Sequence, residues 1–355
     1  MKYRVLLTAH HVLDPDSGVG QITSSLKESY EDSGKFEVTL LDHSILKFAP
    51  YRLRFLLFPI VVLFKVVESI LKHRPFDLVH STTGDGALLA ILKSNKPLVL
   101  VQSHGIEQLV DDQLAKAGVV FSFRQLIFRN IVVYPLVSWS LRSAEAVFVL
   151  SPYEESYVNK NFNCRTFLVL NSHNLKKPEK LVSNTNQTIV MMRSKTSQLA
   201  ILAFEEVKQK FPNLDLLLLG PGTSTELNFK SDAIQVIEHY SNSELSNLLS
   251  GCSIHVSVSK KEGFPLFLME CVSQGLVPVL SKIPAHTWFF EMSPLCYLVE
   301  DSLESLVVGI ERAINANIDD RQRMVNWAEG RNRKSQMEMQ LECVLALLSQ
   351  HSKPL

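Results

Sequence analysis

The sequence predicts an α/β protein of two doubly wound domains, each with a parallel sheet between helices. The chain has 355 residues and a mass of 40.1 kDa, which suits two domains of about 150 residues each. Short apolar runs rich in Val, Leu and Ile recur, and most are separated by longer segments with helical spacing. Hydrophobic residues make up 46% and charged residues 20%, which excludes disordered, collagen-like and coiled-coil classes.

The apolar runs have the length of buried strands, and six fall in each half of the chain. In the first half we expect strands at residues 4–9, 37–42, 77–82, 98–103, 146–151 and 166–171. In the second half we expect them at residues 188–193, 214–220, 233–239, 254–259, 277–282 and 296–300. Parallel open sheets bind ligands outside the carboxyl ends of their strands, so functional residues are expected in the turns after the strands.

A polar stretch at 174–187, which contains Pro178 and has no apolar period, is the predicted linker. The predicted domains are therefore residues 1–175 and residues 187–325. The remaining segment, 326–355, is helical in character and carries apolar residues. We expect it to pack back toward the first domain.

Charge and cysteine usage exclude several classes of protein. Basic and acidic residues number 36 each, and a net charge of zero argues against a nucleic-acid binder. The five cysteines are scattered without a Cys-x-x-Cys pair, which predicts neither a disulfide framework nor a zinc site and fits a reducing cytosol. The start, MKYRVLLTAHH, is a short apolar run that ends at two histidines and lacks the features of a signal peptide. A cytoplasmic protein is expected.

The segment KKEGFPLFLMECVSQG follows the strand predicted at 254–259 and has the pattern of a turn and then a helix. Proline is favoured in the first turn of a helix, which fits Pro265, and glycine is favoured where a helix ends, which fits Gly275. The N–H groups near the start of this helix, with the positive end of its dipole, form a site for a diphosphate. Glu262 lies just before the helix, and Glu270 in its second turn can accept hydrogen bonds from paired hydroxyls such as a ribose diol.

The spacing of these two glutamates is weak evidence by itself. Composition alone gives roughly 1.5 such pairs in a chain of this kind. The alternative interpretation is that Glu262 only complements the helix dipole and that Glu270 is a solvated helix residue.

The run EGFPLFLME resembles the Glu-Gly-Phe-Gly/Pro-x-x-x-x-Glu motif of the family-4 retaining glycosyltransferases, which adopt the GT-B fold of two Rossmann-like domains facing a central cleft. Further segments occur in the order expected for that family: SGVGQITSSL (17–26), PFDLVHS (75–81), VQSHGIEQ (101–108), SAEAVFVLSPYEESYV (143–158) and LLLLGPGT (216–223). The resemblance thus covers nearly the whole chain.

The resemblance implies a role for each residue of the motif. It places Glu262 beside the donor sugar as a catalytic residue, and it assigns the ribose hydroxyls to Glu270. The residues that would hold the nucleotide diphosphate are those at the start of the helix: Gly263, Phe264, Pro265 and Leu266.

Gly18 and Gly20 are expected in a loop after the first strand, where backbone N–H groups can approach a phosphate of the donor. The remaining glycine of the dinucleotide-binding fingerprint is missing, which disfavours a nicotinamide dehydrogenase. A merely flexible glycine loop is the alternative.

His104 follows the strand predicted at 98–103 and is expected at the ligand-binding edge of the sheet. A lone histidine is more often an ordinary hydrogen-bonded side chain. The pair His104-Gly105 resembles the family's His-Gly position beside the transferred sugar, so a catalytic role is implied. His80 is expected in a similar place.

Arg193 and Lys195 follow the first strand of the second half, where the family carries two cations that clamp the diphosphate. The resemblance implies catalytic charge stabilisation for Arg193 and donor binding for Lys195, although a surface role for Lys195 stays open. His239 stands where the family contacts the nucleobase. The chain departs from the family at Met192, at residues 171–174 and at residues 283–286, which leaves the donor base and sugar open.

Two segments of the first half combine basic and apolar residues. Residues 47–74 carry a net charge of +5 around the apolar run 55–64, and residues 116–142 carry +4 among aromatic residues. This composition is typical of a surface that lies on an anionic membrane, but ten apolar residues are too few to cross a bilayer, which needs about 20. The alternative is a buried helix flanked by solvated bases.

The leading hypothesis is a retaining, metal-independent hexosyltransferase in surface polysaccharide or lipopolysaccharide synthesis, at the inner face of the cell membrane. It would move a sugar from a UDP- or GDP-sugar to a glycan or lipid-linked acceptor, with no cofactor and no metal. The first alternative is a non-catalytic scaffold subunit, because Met192 and residues 171–174 and 283–286 stand where the family carries glycines. The second is a sugar hydrolase with Glu262 and Glu270 as acid and base, which needs a carboxyl separation of about 5–9.5 Å.

Overall fold

The computed structural model describes residues 2–14, 17–92, 97–181, 187–222, 227–229 and 231–351. Contacts divide the chain into two compact units, Met1–Asn171 with Lys334–Leu355, and Ser172–Arg333. The described part of the predicted linker, 174–181, contains neither helix nor strand and belongs to the second unit. The C-terminal segment joins the first unit from Lys334, whereas the sequence placed its start at 326.

In the described part of the first unit, six parallel strands form one sheet in the order β2-β1-β3-β4-β5-β6. The strands are β1 (Tyr3–Ala9), β2 (Phe36–Asp42), β3 (Leu78–Thr82), β4 (Leu98–Gln102), β5 (Ala146–Val149) and β6 (Arg165–Leu168). The helices before the crossover to the second unit are α1 (Gly18–Asp32), α2 (Tyr51–Leu71), α3 (Glu107–Lys116), α4 (Phe123–Phe128), α5 (Tyr134–Ser143) and α6 (Pro152–Asn161). Single turns of 3₁₀-helix lie at His43–Leu46 and Ala87–Ile91, and a π-helical turn at Arg129–Val133 joins α4 to α5.

The first sheet is buried on both faces, which explains why its strands are continuous apolar runs. Val5 and Leu7 of β1 pack with Tyr30 of α1 on one face. Leu6, between them in the chain, packs with Phe58 of α2 on the other face. The strand β2 lies on one side of β1, and β3 and the later strands lie on the other side. The gap between β1 and β3 is therefore the switch point, where a ligand of a doubly wound domain is expected.

The described part of the second unit has the same design, with strand order β12-β11-β10-β7-β8-β9 and all pairs parallel. The strands are β7 (Gln187–Met192), β8 (Leu214–Leu219), β9 (Ile234–Ile237), β10 (Ile254–Ser257), β11 (Val277–Ser281) and β12 (Tyr297–Val299). The helices are α7 (Gln198–Lys210), α8 (Asn242–Ser250), α9 (Leu266–Ser273), α10 (Pro284–Met292), α11 (Leu303–Ile314) and α12 (Ile318–Glu329). The switch point of this sheet lies between β7 and β10.

The last helix, α13 (Arg333–His351), packs on the sheet of the first unit. Met337, Val344 and Leu347 lie in the same buried cluster as Val5 of β1. Gln340 also donates from Nε2 to Oε1 of Gln102, at the end of β4, over 2.6 Å. The expected return of the C-terminal segment to the first domain is confirmed, as are all twelve strands predicted within the described residues.

The apolar run 55–64 is the middle of α2, which is buried on one face and exposed on the other. Phe55 and Phe58 are buried, whereas Ile60 and Phe64 are exposed, the latter to 74%. The buried face agrees with the interpretation of a packed helix, and the membrane interpretation stays a prediction for the exposed face. Across the described residues, no helix combines the length and the apolar character needed to cross a membrane.

Candidate functional site

Lys195 and Glu262 meet at the switch point of the second sheet. Lys195 comes from a short 3₁₀ turn after β7, and Glu262 comes from the turn after β10. Lys195 Nζ donates to Glu262 Oε1 over 2.5 Å, and the Glu262 side chain is only 10% exposed. The structure thus brings together two residues that the sequence predicted for the same site.

Helix α9 begins directly after this turn. Pro265 has an extended backbone (φ −79°, ψ 101°) and stands one position before the helix, so its predicted place inside the first helical turn is wrong. Its carbonyl oxygen accepts from the N–H of Met269 at 3.4 Å, which makes it the cap residue. Phe264 is buried edge-on against Trp288, with 5.7 Å between ring centroids, and Gly263 is half-buried. Leu266, the first helical residue, follows these closely packed residues.

The predicted end of this helix is confirmed at Gly275. Its φ of 78° lies in the left-handed region that favours glycine. A Cβ atom at this position would also lie 2.7 Å from Leu181 Cδ2. The stop therefore depends on both backbone conformation and packing.

Glu270 is 5% exposed, so the alternative that it is a solvated helix residue is wrong. Burial raises the pKa of Glu270 to about 7, and the charge of Arg333 acts in the opposite direction. Burial and the neighbouring Glu270 raise the pKa of Tyr240 to about 12. A buried carboxyl that titrates near neutrality is typical of functional sites.

Arg193 pairs with Glu238, with 2.5 Å between Nη1 and Oε1. Its guanidinium lies against Gly222, where an added Cβ atom would stand 3.1 Å from Cζ. His239 follows β9, the edge strand that lies two strands from β7, and its side chain is exposed. The structure therefore gives Arg193 a defined position beside the glycine turn after β8, and leaves His239 at the periphery of the sheet.

His286 is a member of this site that sequence reasoning treated only as a departure from the family. Nδ1 of His286 lies 2.9 Å from the carbonyl oxygen of Ser281, so Nδ1 carries the proton. Its Nε2 is buried and has no hydrogen-bond partner among the described residues. Burial lowers the pKa of His286 and the charge of Glu262 raises it, which places the imidazole near that carboxylate.

The glycines predicted for the donor in the first half have a different structural role. Gly18 begins α1 and Gly20 lies in its first turn, so the expected loop is wrong at these positions. The N–H of Gly20 donates to the Ser17 cap oxygen at 3.0 Å. A Cβ atom on Gly20 would stand 1.9 Å from the carbonyl oxygen of Asp14. Glycine is therefore required at this position because no side chain fits there.

A second group of polar residues lies at the switch point of the first sheet. His10 follows β1 and Asp85 follows β3, and His10 Nδ1 lies 2.7 Å from Asp85 Oδ1. Asp85 is fully buried, and its Oδ2 accepts hydrogen bonds from the hydroxyls of Thr8, at 2.7 Å, and Thr82. The carboxylate is therefore held from three sides.

His10 and Thr82 border a cavity of about 350 Å³ within the first unit, and its other lining residues include Val19, Arg52, His104, Glu107 and Phe128. Burial lowers the pKa of His104 to about 4 and raises that of Glu107 to about 7. His104 Nδ1 and Glu107 Oε2 are buried without a hydrogen-bond partner in the described structure. His104 thus faces a cavity, as the sequence predicted for a ligand-binding residue.

His80 does not share that position. It is the third residue of β3, fully buried, and stacks on Phe148 with 5.4 Å between centroids. Its Nδ1 lies 2.7 Å from the hydroxyl of Tyr30. Burial lowers the pKa of His80 to about 3, so it is a neutral core residue and the expectation that it resembles His104 is wrong.

Among the described residues, His10, His43 and Asp85 offer atoms of metal-ligand type within 4.8 Å of one another. Hydrogen bonds from Thr8, Thr82 and His10 already reach both oxygens of Asp85. We therefore interpret Asp85 as the centre of a hydrogen-bond network.

Comparison with solved structures decides the fold. Sucrose-phosphate synthase from Thermosynechococcus elongatus matches with a TM-score of 0.77 at 14% identity, over 98% of this chain and 100% of that one. The chain has the GT-B fold. A second structure, Anabaena HepE in complex with UDP-glucose, matches with a TM-score of 0.66 at 14% identity, over 97% of this chain and 99% of that one.

Sequence comparison agrees with the GT-B assignment. Residues 174–331, nearly all of the second unit, match the family described as glycosyl transferases group 1. The uncharacterized glycosyltransferase YqgM of Bacillus subtilis (strain 168) is 24% identical over 237 residues, which are 62% of this chain and 62% of that protein. The aligned part thus spans less than two thirds of this relative. Fold and sequence together support a GT-B glycosyltransferase.

Proposed function

We propose that the protein is a retaining, metal-independent hexosyltransferase that uses a UDP- or GDP-linked sugar. The observation that carries this proposal is the Lys195–Glu262 ion pair at the start of α9, with the buried Glu270 in the second turn of the same helix. The match of this unit to glycosyl transferases group 1 supports the assignment of the donor to it.

The diphosphate of the donor would lie at the first turn of α9. The N–H groups of that turn lack partners within their own helix, and the helix dipole favours an anion there. Lys195 supplies a point charge and Arg193 a planar donor fork, both at the carboxyl end of β7. Negative charge that develops on the leaving diphosphate would be stabilised by these preorganised donors.

Glu262 and Glu270 would bind the two ends of the donor. Lys195 would turn to the diphosphate, and Glu262 would orient the sugar. Glu270 would accept hydrogen bonds from the ribose hydroxyls, which compensates the cost of burying its charge. The UDP-glucose bound to HepE supports a nucleotide sugar as the ligand of this fold.

A ligand panel tests this assignment. Thermal shifts with UDP, GDP, UDP-glucose and GDP-mannose are expected to show one preferred base. Glu270→Ala should weaken binding of that nucleotide by about tenfold or more, the order of a lost hydrogen bond to a charged group. Glu300→Ala is the matched control, because Glu300 is an exposed carboxylate paired with Lys282 in the same unit. No shift with any nucleotide would overturn the proposed donor site.

We also propose that the first unit rests on an anionic membrane, at the inner face of the cell membrane, and acts on a glycan or lipid-linked acceptor in surface polysaccharide synthesis. The two basic segments are neighbours in the structure. The ring centroids of Phe55 and Phe128 lie 6.4 Å apart, and Cζ of Arg52 lies 5.5 Å from the ring centroid of Phe128. The large apolar side chains exposed on these segments include Phe48, Ile60, Phe64, Val120, Phe123 and Ile131. Exposed bases such as Lys47 and Arg124 accompany them, which is the composition of an interfacial surface.

A further inference from the structure

The turn that carries Glu262 is held by hydroxyl and imidazole groups that the proposed donor site does not use. We propose that Ser281 and His286 are positioning residues that keep the carboxylate of Glu262 beside the donor sugar; this inference rests on the proposed function. In the proposed donor complex Lys195 would leave Glu262, so the carboxylate needs a support that does not depend on this ion pair. Every residue concerned belongs to the second unit.

Ser281 joins the end of one strand to the turn that follows its neighbour. It is the last residue of β11, which pairs in parallel with β10. Its hydroxyl donates to the carbonyl oxygen of Ser259 over 2.7 Å. A carbonyl oxygen can only accept, so the direction of this hydrogen bond is fixed. Ser259 follows β10 and is buried, so the bond ties the start of the turn with Glu262 to the end of β11.

The same turn is closed within itself. Ser259 Oγ donates to the carbonyl oxygen of Lys261 over 2.8 Å, and Lys261 directly precedes Glu262. On the other side of Glu262, the ring of Phe264 packs edge-on against Trp288 of α10, with 5.7 Å between centroids. The backbone on both sides of Glu262 is therefore held against β11 and α10.

His286 fixes the orientation of the Ser281 hydroxyl. Nδ1 of His286 lies 2.9 Å from the carbonyl oxygen of Ser281 and 3.3 Å from its Oγ. Because the carbonyl oxygen only accepts, Nδ1 carries the proton and faces both oxygens of Ser281. The Ser281 hydroxyl then accepts from His286 and directs its own proton at Ser259. Hydrogen bonds in a chain of this kind polarise and strengthen one another.

His286 is the third residue of α10 and is fully buried. Burial lowers the pKa of His286, although the charge of Glu262 raises it, so the ring is neutral at physiological pH. With the proton on Nδ1, Nε2 carries a lone pair, and it has no hydrogen-bond partner among the described residues. A lone pair cannot donate to a carboxylate. The ring therefore supports the turn without binding the Glu262 side chain.

The support matters because catalysis is sensitive to small displacements. A shift of about 1 Å in a group that contacts the substrate can lower a rate by about 100-fold. The diphosphate would be bound by the N–H groups at the start of α9, which Ser281 does not touch. Loss of the Ser281 hydroxyl should therefore reduce turnover and leave the affinity for the nucleoside diphosphate almost unchanged.

The kinetic test follows hydrolysis of UDP-glucose or GDP-mannose, whichever binds, as release of the nucleoside diphosphate with water as the acceptor. Ser281→Ala should lower kcat by about tenfold and change the Kd of the nucleoside diphosphate by less than about threefold. Ser281→Thr keeps the hydroxyl on a residue that suits a strand, and should restore kcat to within about threefold of the wild type.

Ser253→Ala is the matched control. The Ser253 hydroxyl also donates to a backbone carbonyl, that of Thr188 over 3.4 Å, but at the opposite end of β10. This variant should keep the wild-type kcat. His286→Ala should lower kcat by about tenfold, whereas His286→Asn can still donate to Ser281 and should lose less than about threefold. The two pairs of variants are independent, so one pair still tests the inference if a variant of the other does not fold.

A double-variant cycle separates positioning of Glu262 from a general structural role. If Ser281 acts through Glu262, Ser281→Ala should lower kcat by less than about threefold when it is combined with Glu262→Gln. The full tenfold loss in that background would overturn the inference. Wild-type kcat in Ser281→Ala, or a Ser281→Thr variant as slow as Ser281→Ala, would overturn it as well.

A spectroscopic test does not depend on turnover. Long-range ¹H–¹⁵N NMR of the wild type should show a His286 signal, identified by its loss in His286→Asn, with the proton on Nδ1. A proton on Nε2 would contradict the assigned chain of hydrogen bonds. Failure of the wild type to bind any nucleotide would instead overturn the proposed donor site, so the two failures are distinguishable.

Discussion

Lys195 Nζ lies 2.5 Å from Glu262 Oε1, although 67 positions separate the two residues in the chain. Strands β7 and β10 are parallel neighbours, with Ile189 beside Ile254, so the turns that follow them meet at the same edge of the sheet. The strand order thus produces the contact. In the proposed donor complex, Lys195 would pair with a donor phosphate in place of Glu262.

Glu262→Gln should separate sugar orientation from nucleotide binding. The amide keeps the shape of the side chain and removes its charge, so we expect kcat to fall by about 100-fold or more while the Kd of the nucleotide changes by less than about threefold. Steady-state kinetics and calorimetry measure the two quantities. Glu300→Gln removes an exposed carboxylate in the same unit and should leave both unchanged. Equal, negligible effects of the two substitutions would contradict the role of Glu262.

Nucleotide affinity should depend on the ionisation of Glu270. Ribose hydroxyls donate most strongly to a carboxylate, and burial raises the pKa of Glu270 to about 7, so affinity should increase as pH rises from 6 to 8. Calorimetry across this range measures the effect. Glu270→Gln should flatten the profile, and a variant that keeps the wild-type pH dependence would rule out Glu270 as its source.

The ionisation of Glu270 should also affect the stability of the fold. Stability should decrease as pH rises, whereas nucleotide affinity should increase. The pKa of Glu270 is raised from 4.5 when unfolded to about 7 when folded, so the folded state binds more protons between these values. Its contribution to the free energy of unfolding therefore falls as pH rises through this window. Denaturation of wild type and Glu270→Gln at pH 5 and pH 8 should show the variant gaining relative stability at pH 8. A stability difference that does not vary with pH would contradict the buried state of this group.

Membrane binding should depend on the exposed aromatic residues of the first unit. Phe64 and Phe123 are 74% and 77% exposed, and their joint change to Ser removes apolar area without disturbing the core. Sedimentation with anionic liposomes should decrease for this variant, and wild-type binding should weaken with salt because the attraction is screened. Phe290→Ser, at an exposed phenylalanine of the second unit, is the control and should bind like the wild type. Absence of wild-type pelleting at low salt would exclude the surface.

Gly20 should be required for stability because of close packing at the start of α1. Gly20→Ala places a Cβ atom 1.9 Å from the carbonyl oxygen of Asp14, and we expect a loss of about 1–3 kcal/mol in the free energy of unfolding. Gly251→Ala is the control, since a Cβ atom there meets no heavy atom within 4 Å. Chemical denaturation measures both changes, and similar small losses would show that the backbone of α1 adjusts without cost.

The sequence predicts the strands well because each is a continuous run of Val, Leu and Ile bounded by polar turns. It predicts the turn from Glu262 to Gly275 for a similar local reason, apart from the place of Pro265. The burial of Glu270 could not be predicted, because it depends on the tertiary fold, which brings Tyr240 and Arg333 from distant parts of the chain near enough to interact with its charge.

The pair of His10 and Asp85 was also missed. The two residues are 75 positions apart, and only the adjacency of β1 and β3 joins them. The signal in the sequence is the histidine pair after the first strand and the aspartate between glycines after the third. Neither pattern specifies which strands are neighbours, so neither could be paired with the other before the sheet order was known.

The start of α9, between Glu262 and Glu270, is the proposed site of a nucleoside diphosphate. A crystal structure with the preferred nucleotide sugar, at a concentration that saturates binding in solution, tests it most directly. We predict the diphosphate at the backbone N–H groups of the first turn of α9, with Glu270 contacting the ribose hydroxyls. A nucleotide bound elsewhere, with the Lys195–Glu262 ion pair still in place, would show that the first turn of α9 is not the donor site.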